Sequence, residues 1–137
     1  MFLLDTNVLS ELRRRDRTHP AVAAWADRVR PADLFVSAIT ILEIEAGTLM
    51  VARRDKAQGA ILRAWIDNKV LSTFETRILP VDTAVALRCA RLHVPDPRSE
   101  RDALIAATAL VHGLKLVTRN VADFAPMEVD LLNPWEV

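Results

Sequence analysis

Short apolar runs alternate with longer amphipathic segments along this chain, and this alternation restricts the possible fold more than any other feature. The short runs predict strands at residues 1–4, 34–37, 77–81, 114–118 and 129–132. Between them, apolar residues recur every three or four positions, which is the period of a helix. We therefore predict an α/β fold with a mostly parallel central sheet of four to five strands, flanked by helices on both faces in three layers.

Capping signals place the helices. Pro20 and Pro31 bracket one helix, and further helical patterns cover residues 39–51 and 57–70. Asp82 is a preferred N-cap for the pattern that follows it. A last long helix opens at Ser99 and closes at Gly113, a residue type common just beyond a helix C-terminus.

Composition excludes several classes of protein. A chain of 137 residues predicts one domain, residues 1–137, with a core large enough to fold without disulfides. Cys89 is the only cysteine, which excludes an internal disulfide and a CxxC site and favours a reducing cytoplasm. No basic and apolar leader is visible, and no apolar run approaches the roughly 20 residues of a membrane span. Lysine plus arginine equals aspartate plus glutamate at 18 each, so net charge gives no argument for nucleic acid.

Polar residues follow the predicted strands at their carboxyl ends. Asp5 follows the first strand, Ser37 closes the second, and Arg119 and Asn120 follow the fourth. In open parallel sheets the functional crevice lies outside these ends. We therefore expect these residues to face one edge of the sheet.

Two further carboxylates can reach the same edge, and each has a structural explanation that stays open. Glu43 can close a capping box with Thr40, or it can point back toward Asp5. Gly47, one turn later, would open space for a close approach. The carboxylate of Asp102 can be explained by a favourable interaction with the positive end of its helix dipole. The apolar sequence after it indicates instead that the first turn of this helix is buried and faces the strand ends.

Other polar and aromatic residues have structural interpretations. We interpret Asp82 as a helix N-cap. Asp123 can form an Asx turn, or it can lie with the other carboxylates at the edge of the sheet. The three histidines, His19, His93 and His112, show no ligand spacing. Trp25 and Trp65 lie on apolar helix faces and indicate core or a subunit interface. The basic run beginning at Arg13 and Arg14 complements a helix C-terminus or contacts phosphate.

Carboxylates that meet in one crevice repel one another unless a cation joins them. Oxygen ligands without clustered histidine or cysteine favour Mg²⁺, with Mn²⁺ as an alternative, over zinc. Such a site can activate water for an attack on a phosphodiester.

Three segments together, MFLLDTNVLSEL, SAITILEIEAG and RDALIAATALVHGLKLVTRNVADF, resemble the PIN-domain ribonucleases, in particular VapC-type toxins of toxin–antitoxin systems and their FitB-like branch. The resemblance runs in order from Met1 to the terminal NPW. It implies that Asp5, Glu43 and Asp102 bind metal and that Thr6, Asn7 and Ser37 support them. The fourth acid of the family is replaced by Asn120, for which Asp123 can substitute.

The resemblance also implies a Mg²⁺-dependent endoribonuclease that cuts tRNA or ribosomal RNA loops. A homodimer and a small VapB-like antitoxin that covers the acidic groove are further implications. In this hypothesis Asn120 and Asp123 position a second ion or the water, Thr118 assists through its hydroxyl, and Arg119, Arg13 and Arg14 contact substrate.

Two alternatives remain. Asp5 can be the covalent nucleophile of a Rossmann-like phosphohydrolase, although such enzymes typically have a second Asp where this chain has Asn7. The chain can also be a non-catalytic domain that binds RNA or a partner and has lost turnover through Asn120.

Overall fold

The computed structural model describes residues 1–137 and contains one sheet of five parallel strands. The strands are β1 (Phe2–Leu4), β2 (Leu34–Ser37), β3 (Ile78–Leu79), β4 (Lys115–Val117) and β5 (Leu131–Leu132). Their spatial order is β3-β2-β1-β4-β5, and every neighbouring pair is parallel. The predicted fold class is confirmed.

Helices connect the strands as the amphipathic segments predict. They are α1 (Thr6–Glu11), α2 (Pro20–Arg28), α3 (Ala38–Arg54), α4 (Lys56–Trp65), α5 (Leu71–Thr73), α6 (Thr83–Leu92), α7 (Glu100–His112) and α8 (Val121–Phe124). A π-helical turn, Ile66–Val70, joins α4 to α5, and short 3₁₀ turns cover Arg15–Arg17, Pro31–Asp33 and Ala125–Met127. None of the helices combines the length and apolar composition that a bilayer crossing requires.

Two hydrophobic cores lie on opposite faces of the sheet. Leu3 packs into a core with residues of α6 and α7, whereas its neighbour Leu4 packs into a second core with residues of α1, α2 and α3. Leu116 and Val117 of β4 divide in the same way. Successive side chains of a strand point to opposite faces, so a run that is apolar at every position belongs in a sheet covered on both sides.

The chain changes direction across the sheet between β1 and β4. From β1 the connections run outward through β2 to β3, and then the chain returns to place β4 on the other side of β1. A change of direction like this leaves a crevice at the carboxyl ends of the two central strands. Asp5 follows β1 and Thr118 follows β4, so both begin at that crevice.

The main difference from the predicted elements is the length of β3. The sequence predicts a strand over residues 77–81, but only Ile78–Leu79 pair with β2. Pro80 has no N–H for the ladder and ends the strand. The guanidinium of Arg77 donates hydrogen bonds to the carbonyls of Pro31, Leu34 and Thr73, which anchors the start of β3 to neighbouring segments.

Capping predictions are confirmed at two helices. Asp82 accepts a hydrogen bond from the backbone N–H of Val85 at the start of α6. Gly113 ends α7 in the left-handed conformation, with φ of 64°. This conformation is easy for glycine because it has no Cβ.

The two glycines of α3 and α4 differ in what surrounds them. A Cβ on Gly59 of α4 would lie 2.5 Å from Cβ and 2.6 Å from Cα of Ala52 in α3, so glycine permits the two helices to approach. No atom outside its own helix lies within 4 Å of the equivalent position on Gly47. Gly47 thus leaves open space at its helix face, as expected, whereas the close approach of two helices occurs at Gly59.

We expect Gly59→Ala to destabilise the protein by roughly 1 to 3 kcal/mol, because the new methyl group meets the Ala52 backbone, which cannot move aside cheaply. The matched control is Gly47→Ala, which should be neutral or stabilising by up to about 1 kcal/mol through helix propensity. Urea unfolding of both variants measures the difference. Equal stability of the two variants would contradict this account of α3–α4 packing.

Candidate active site

Asp5 is the most buried acid of the chain and connects the two central strands. Its side chain is 5% exposed. Oδ2 accepts hydrogen bonds from the Thr118 hydroxyl at 2.7 Å and from the Asn7 amide at 3.2 Å, and Oδ1 accepts the backbone N–H of Thr6 at 2.8 Å. The last contact caps α1, so Asp5 is both the N-cap of this helix and a buried acid at the carboxyl end of β1.

Burial raises the pKa of the Asp5 carboxyl above its ordinary value of 3.8. The negative charge of Glu43 raises the pKa further, whereas the hydrogen bonds from Thr118, Thr6 and Asn7 lower it. Burial is the largest of these effects because it removes water from the charged form. The fold thus places a carboxyl group at the ends of the two central strands, where burial makes its ionisation unfavourable.

Glu43 is joined to Asp5 through Thr6. The Thr6 hydroxyl donates to Oε1 of Glu43 at 2.7 Å, while its backbone N–H donates to Asp5. The capping box of Thr40 and Glu43 is wrong, because α3 begins one turn earlier than that motif requires. Its N-cap is Ser37, whose Oγ accepts the N–H of Ile39 at 3.0 Å, and Thr40 is buried inside the helix.

Asp102 is the residue at which the acidic groups converge. It lies half-buried in the first turn of α7. Burial raises its pKa above 3.8, and the charges of Asp5, Asp123 and Glu43 each raise it further, in that order. The fold therefore brings together four carboxylates, from the end of β1, α3, α7 and α8. We call Asp5, Glu43, Asp102 and Asp123 the acidic site.

Asn120 and Asp123 lie at the start of α8, beyond β4. The backbone N–H of Asn120 donates to the Thr118 hydroxyl, which in turn donates to Asp5. Asn120 precedes α8 without a side-chain cap, and Asp123 is exposed in the first turn of this short helix. The interpretation of VADF as an Asx turn is wrong, since these residues form α8, but Phe124 is buried as expected.

The remaining predicted site residues divide into near and distant ones. Asn7 lies beside Asp5, and its carbonyl oxygen accepts the backbone N–H of Arg119 at 3.2 Å. The Ser37 hydroxyl is used in capping α3. Arg13 and Arg14 follow the far end of α1, about 12 Å along the helix from Asp5. Arg14 forms an exposed ion pair with Asp16 at 3.4 Å.

Sequence reasoning missed one cation of this region, Arg101, and one contact of the predicted residue Arg119. Arg101 lies 3.9 Å from Oε2 of Glu43, and its position beside Asp102 was the available signal. The guanidinium of Arg119 lies over the ring of Trp135, 5.0 Å from its centre, which orients an otherwise exposed charge. No local pattern links residues 119 and 135, so that contact is visible only in three dimensions.

A second group of potential metal ligands lies at the end of α6. Ligand atoms of Cys89, His93 and Glu100 lie within 4.8 Å of one another, so the conclusion that His93 lacks ligand spacing is wrong: it follows Cys89 by one helical turn. However, Nδ1 of His93 accepts the backbone N–H of Arg98 at 3.0 Å. The ring proton of the neutral form is therefore on Nε2, the nitrogen that faces Cys89, which disfavours a metal there.

The acidic site suits a hard divalent cation. Its donors are carboxylate oxygens, and none of its four residues is a histidine or a cysteine. Mg²⁺ and Mn²⁺ favour such donors. The neighbouring negative charges raise the pKa of Asp102. A bound cation would offset this repulsion between carboxylates.

Comparisons with known proteins agree with this geometry. The PIN domain family model matches residues 2–125. The chain is 55% identical over 73 residues to Ribonuclease VapC14 of Mycobacterium tuberculosis, covering 53% of this chain and 70% of that protein. It is 34% identical over 140 residues to Toxin FitB of Neisseria gonorrhoeae, covering 98% and 99% of the two. The crystal structure of FitAcB from the same organism matches with a TM-score of 0.90 at 33% identity, covering 100% of both chains.

The chain therefore belongs to the PIN domain family. Within that family it is similar to proteins named VapC ribonuclease and FitB toxin, the second over nearly its whole length.

Replacing Asp102 by Asn should stabilise the protein near neutral pH in the presence of a chelator. A pKa raised above 3.8 in the folded state means that the charge at Asp102 destabilises the fold once pH exceeds that pKa, despite the favourable helix dipole. The gain should be on the order of 1 kcal/mol or less, because solvent screens a half-exposed group. It should shrink as pH falls through the raised pKa of Asp102 and vanish once the carboxyl is protonated in both the folded and the unfolded protein.

Thermal melts of the two proteins across this pH range measure the effect. Asp96→Asn makes the same substitution at an exposed loop position with no ion pair and is the control for the substitution itself. A loss of stability in Asp102→Asn at neutral pH would contradict the repulsion inferred from the geometry.

Proposed function

We propose that this chain is a Mg²⁺-dependent endoribonuclease and the toxin component of a type II toxin–antitoxin system. The observation that carries the proposal is the convergence of four carboxylates at the carboxyl edge of the sheet, where the charges of three of them raise the pKa of Asp102. The names of the relatives, one a ribonuclease and the other a toxin, support both the reaction and its biological setting.

Asp5, Glu43 and Asp102 would hold the ion, with Mn²⁺ as a substitute that uses the same oxygen donors. Bound there, the cation neutralises charge at a phosphodiester and lowers the pKa of the attacking water. Asp123 and Asn120 contribute a further carboxylate and an amide beside these residues. They orient the water or a second ion.

Hydrogen bonds keep the acidic side chains ready for this reaction. Thr118 and Asn7 occupy Oδ2 of Asp5, and Thr6 uses one lone pair of Oδ1, which leaves the other Oδ1 lone pair for a ligand. Thr6 also fixes Glu43 relative to Asp5. Preorganised groups of this kind need no rearrangement when substrate arrives.

The substrate we propose is RNA, with tRNA or ribosomal RNA loops as the targets. Arg119, held on the Trp135 ring, is the cation best oriented toward a phosphate next to Asn120. Arg13 and Arg14 contact a more distant part of the strand. A chain without net charge can still recognise RNA, since single-stranded loops are selected through shape, stacking and a few hydrogen bonds.

The partner we propose is a small VapB-like antitoxin that covers the acidic groove. A groove of about 240 Å³ beside Glu43 is lined by Gly47, Leu62 and Trp65, among others. Trp65 also lines a neighbouring groove of about 500 Å³ with Ile61, which is half exposed. An apolar surface of this kind is typical of a protein interface. FitAcB and other structural neighbours are toxin–antitoxin complexes, which favours the same arrangement.

Three further proposals follow from the family resemblance. Residues 1–137 act as a single PIN-like domain, which the two cores sharing one sheet support. The chain works in the cytoplasm and forms a homodimer. The alternative in which Asp5 is a covalent nucleophile is not favoured, because its carboxylate is buried and both oxygens accept hydrogen bonds.

Asp5→Asn should reduce RNA cleavage by at least about 10²-fold, because it removes charge from the site while keeping its shape. Asn retains an oxygen for the Thr6 N–H, but its amide faces the Asn7 amide, so a thermal melt checks that the variant is folded. Cleavage of a structured RNA by partner-free protein, with Mg²⁺ and with chelator, measures the effect. End-mapping of cellular RNA after expression then identifies the cut sites.

The control is Asp96→Asn, which carries the same change of charge in an exposed loop and should cut normally. Full cleavage by Asp5→Asn, or full cleavage in chelator, would end the metal hypothesis.

Asn120→Asp should tighten Mn²⁺ binding by roughly tenfold, because it adds a carboxylate beside the ion. Electron paramagnetic resonance of Mn²⁺ titrated into the protein without RNA measures the affinity directly. The same variant separates catalytic from non-catalytic hypotheses: cleavage that appears only after this substitution would show that the natural chain binds RNA without cutting it. An unchanged Mn²⁺ affinity would mean that residue 120 does not face the ion.

A further inference from the structure

Three arginines line a pocket that the acidic site does not include. Arg88 and Arg91 come from α6, and Arg98 comes from the loop between α6 and α7. The 3₁₀ turn after α8 closes the pocket, whose volume is about 400 Å³. We call it the arginine pocket; its other lining residues are Leu92, Val94, Pro95, Pro126, Met127 and Glu128.

The positive charge of this pocket is not neutralised by the protein. Every ion pair of the chain involves other residues, so no carboxylate oxygen lies within 4.0 Å of these three guanidiniums. Glu128 is the only acid in the lining, and three arginines outnumber it. These arginines lie together in a concave surface without a carboxylate partner, although Arg91 is also exposed to solvent.

Arg98 provides a second and independent observation. Its Nε is buried and has no hydrogen-bond partner in the protein. Buried polar groups are nearly always satisfied, and a charged donor without a partner is particularly unfavourable. Its backbone is also fixed, because the N–H of Arg98 donates to Nδ1 of His93. This donor is unsatisfied in the protein, and because the atom has almost no accessible surface, an acceptor in the pocket would pair with it only after a small shift of the side chain.

Two short stretches of chain connect the arginine pocket to the acidic site. Arg98 precedes Ser99, the N-cap of the helix that carries Asp102. Pro126 follows Asp123 by three residues, which span at most about 11 Å. An acidic site repels a polyanionic strand, so the charges that hold such a strand must lie outside that site. Arg14 shares its charge with Asp16, whereas no carboxylate pairs with the guanidiniums of the arginine pocket, so these add to the contacts proposed for Arg13 and Arg14.

We propose that the arginine pocket binds a backbone phosphate of an RNA strand whose nearby nucleotides reach the acidic site. Guanidinium forks match the oxygens of a phosphate and bind it in a fixed orientation. The assignment of RNA as the ligand rests on the proposed function. The phosphate chemistry rests on the pocket alone.

The test measures binding of a single-stranded RNA in chelator, by fluorescence anisotropy at several salt concentrations. Arg91→Gln and Arg98→Gln should each weaken binding roughly tenfold at low salt. The slope of log affinity against log salt should fall by about 0.7 for each phosphate that a variant no longer neutralises. Arg91→Lys keeps the charge but not the fork, so affinity should fall while most of the slope remains.

The matched control is Arg54→Gln, which removes one exposed arginine at the far end of α3, about 25 Å along the helix from Ser37. Arg91 is exposed, so its variants should remain folded even if Arg98→Gln does not, and thermal melts check both. Arginine-pocket variants that bind RNA as Arg54→Gln does would overturn the proposal. Binding of a poly-glutamate peptide or of inorganic phosphate that depends on these arginines, with the RNA slope unchanged, would overturn the assignment of RNA.

Wild-type cleavage with Mg²⁺ is measured separately, so the two proposals can fail separately. Cleavage together with no effect of the arginine variants on RNA binding would refute the pocket and leave the proposed function intact. Arginine-dependent RNA binding without any cleavage would refute the proposed reaction and support the pocket.

Discussion

The buried carboxylate of Asp5 is the constraint on which the rest of the site depends. It stands where β1 and β4 end, at the point where the chain changes direction across the sheet, and it receives hydrogen bonds from Thr6, Asn7 and Thr118. Those three residues in turn hold Glu43, the backbone of Arg119 and the backbone of Asn120. The carboxylate of Asp5, whose burial is energetically unfavourable, thus fixes the geometry of both strand ends and of the helices that follow them.

Much of this arrangement could be predicted from the sequence because the topology of a parallel sheet sends every strand end to one edge. The positions of Asp5, Thr118 and Asn120 follow from that rule and from apolar runs that are easily recognised. Asp102 was predictable for a related reason, since a small and apolar helix must lie against the sheet. These inferences use patterns within one element, and the structure reproduces them.

The rest required contacts between distant parts of the chain. The capping-box interpretation of Thr40 and Glu43 is wrong because Ser37, which has the sequence signature of a strand end, also caps the helix. The predicted third strand is too long because Pro80 ends the pairing early, while Arg77 is held by carbonyls from segments far away in the chain. The stacking of Arg119 on Trp135 and the unpaired Nε of Arg98 have no local sequence signal at all.

The hydrogen bond between Thr118 and Asp5 joins residues 113 positions apart in the chain. During synthesis, the first half of the protein therefore emerges with Asp5 and Glu43 but without the strand and the helix that complete their surroundings. The four acids can meet only after β4 has inserted beside β1 and α7 has docked. Any activity of this site consequently begins only after residues up to Asp123 have left the ribosome, and the growing chain has no assembled site until then.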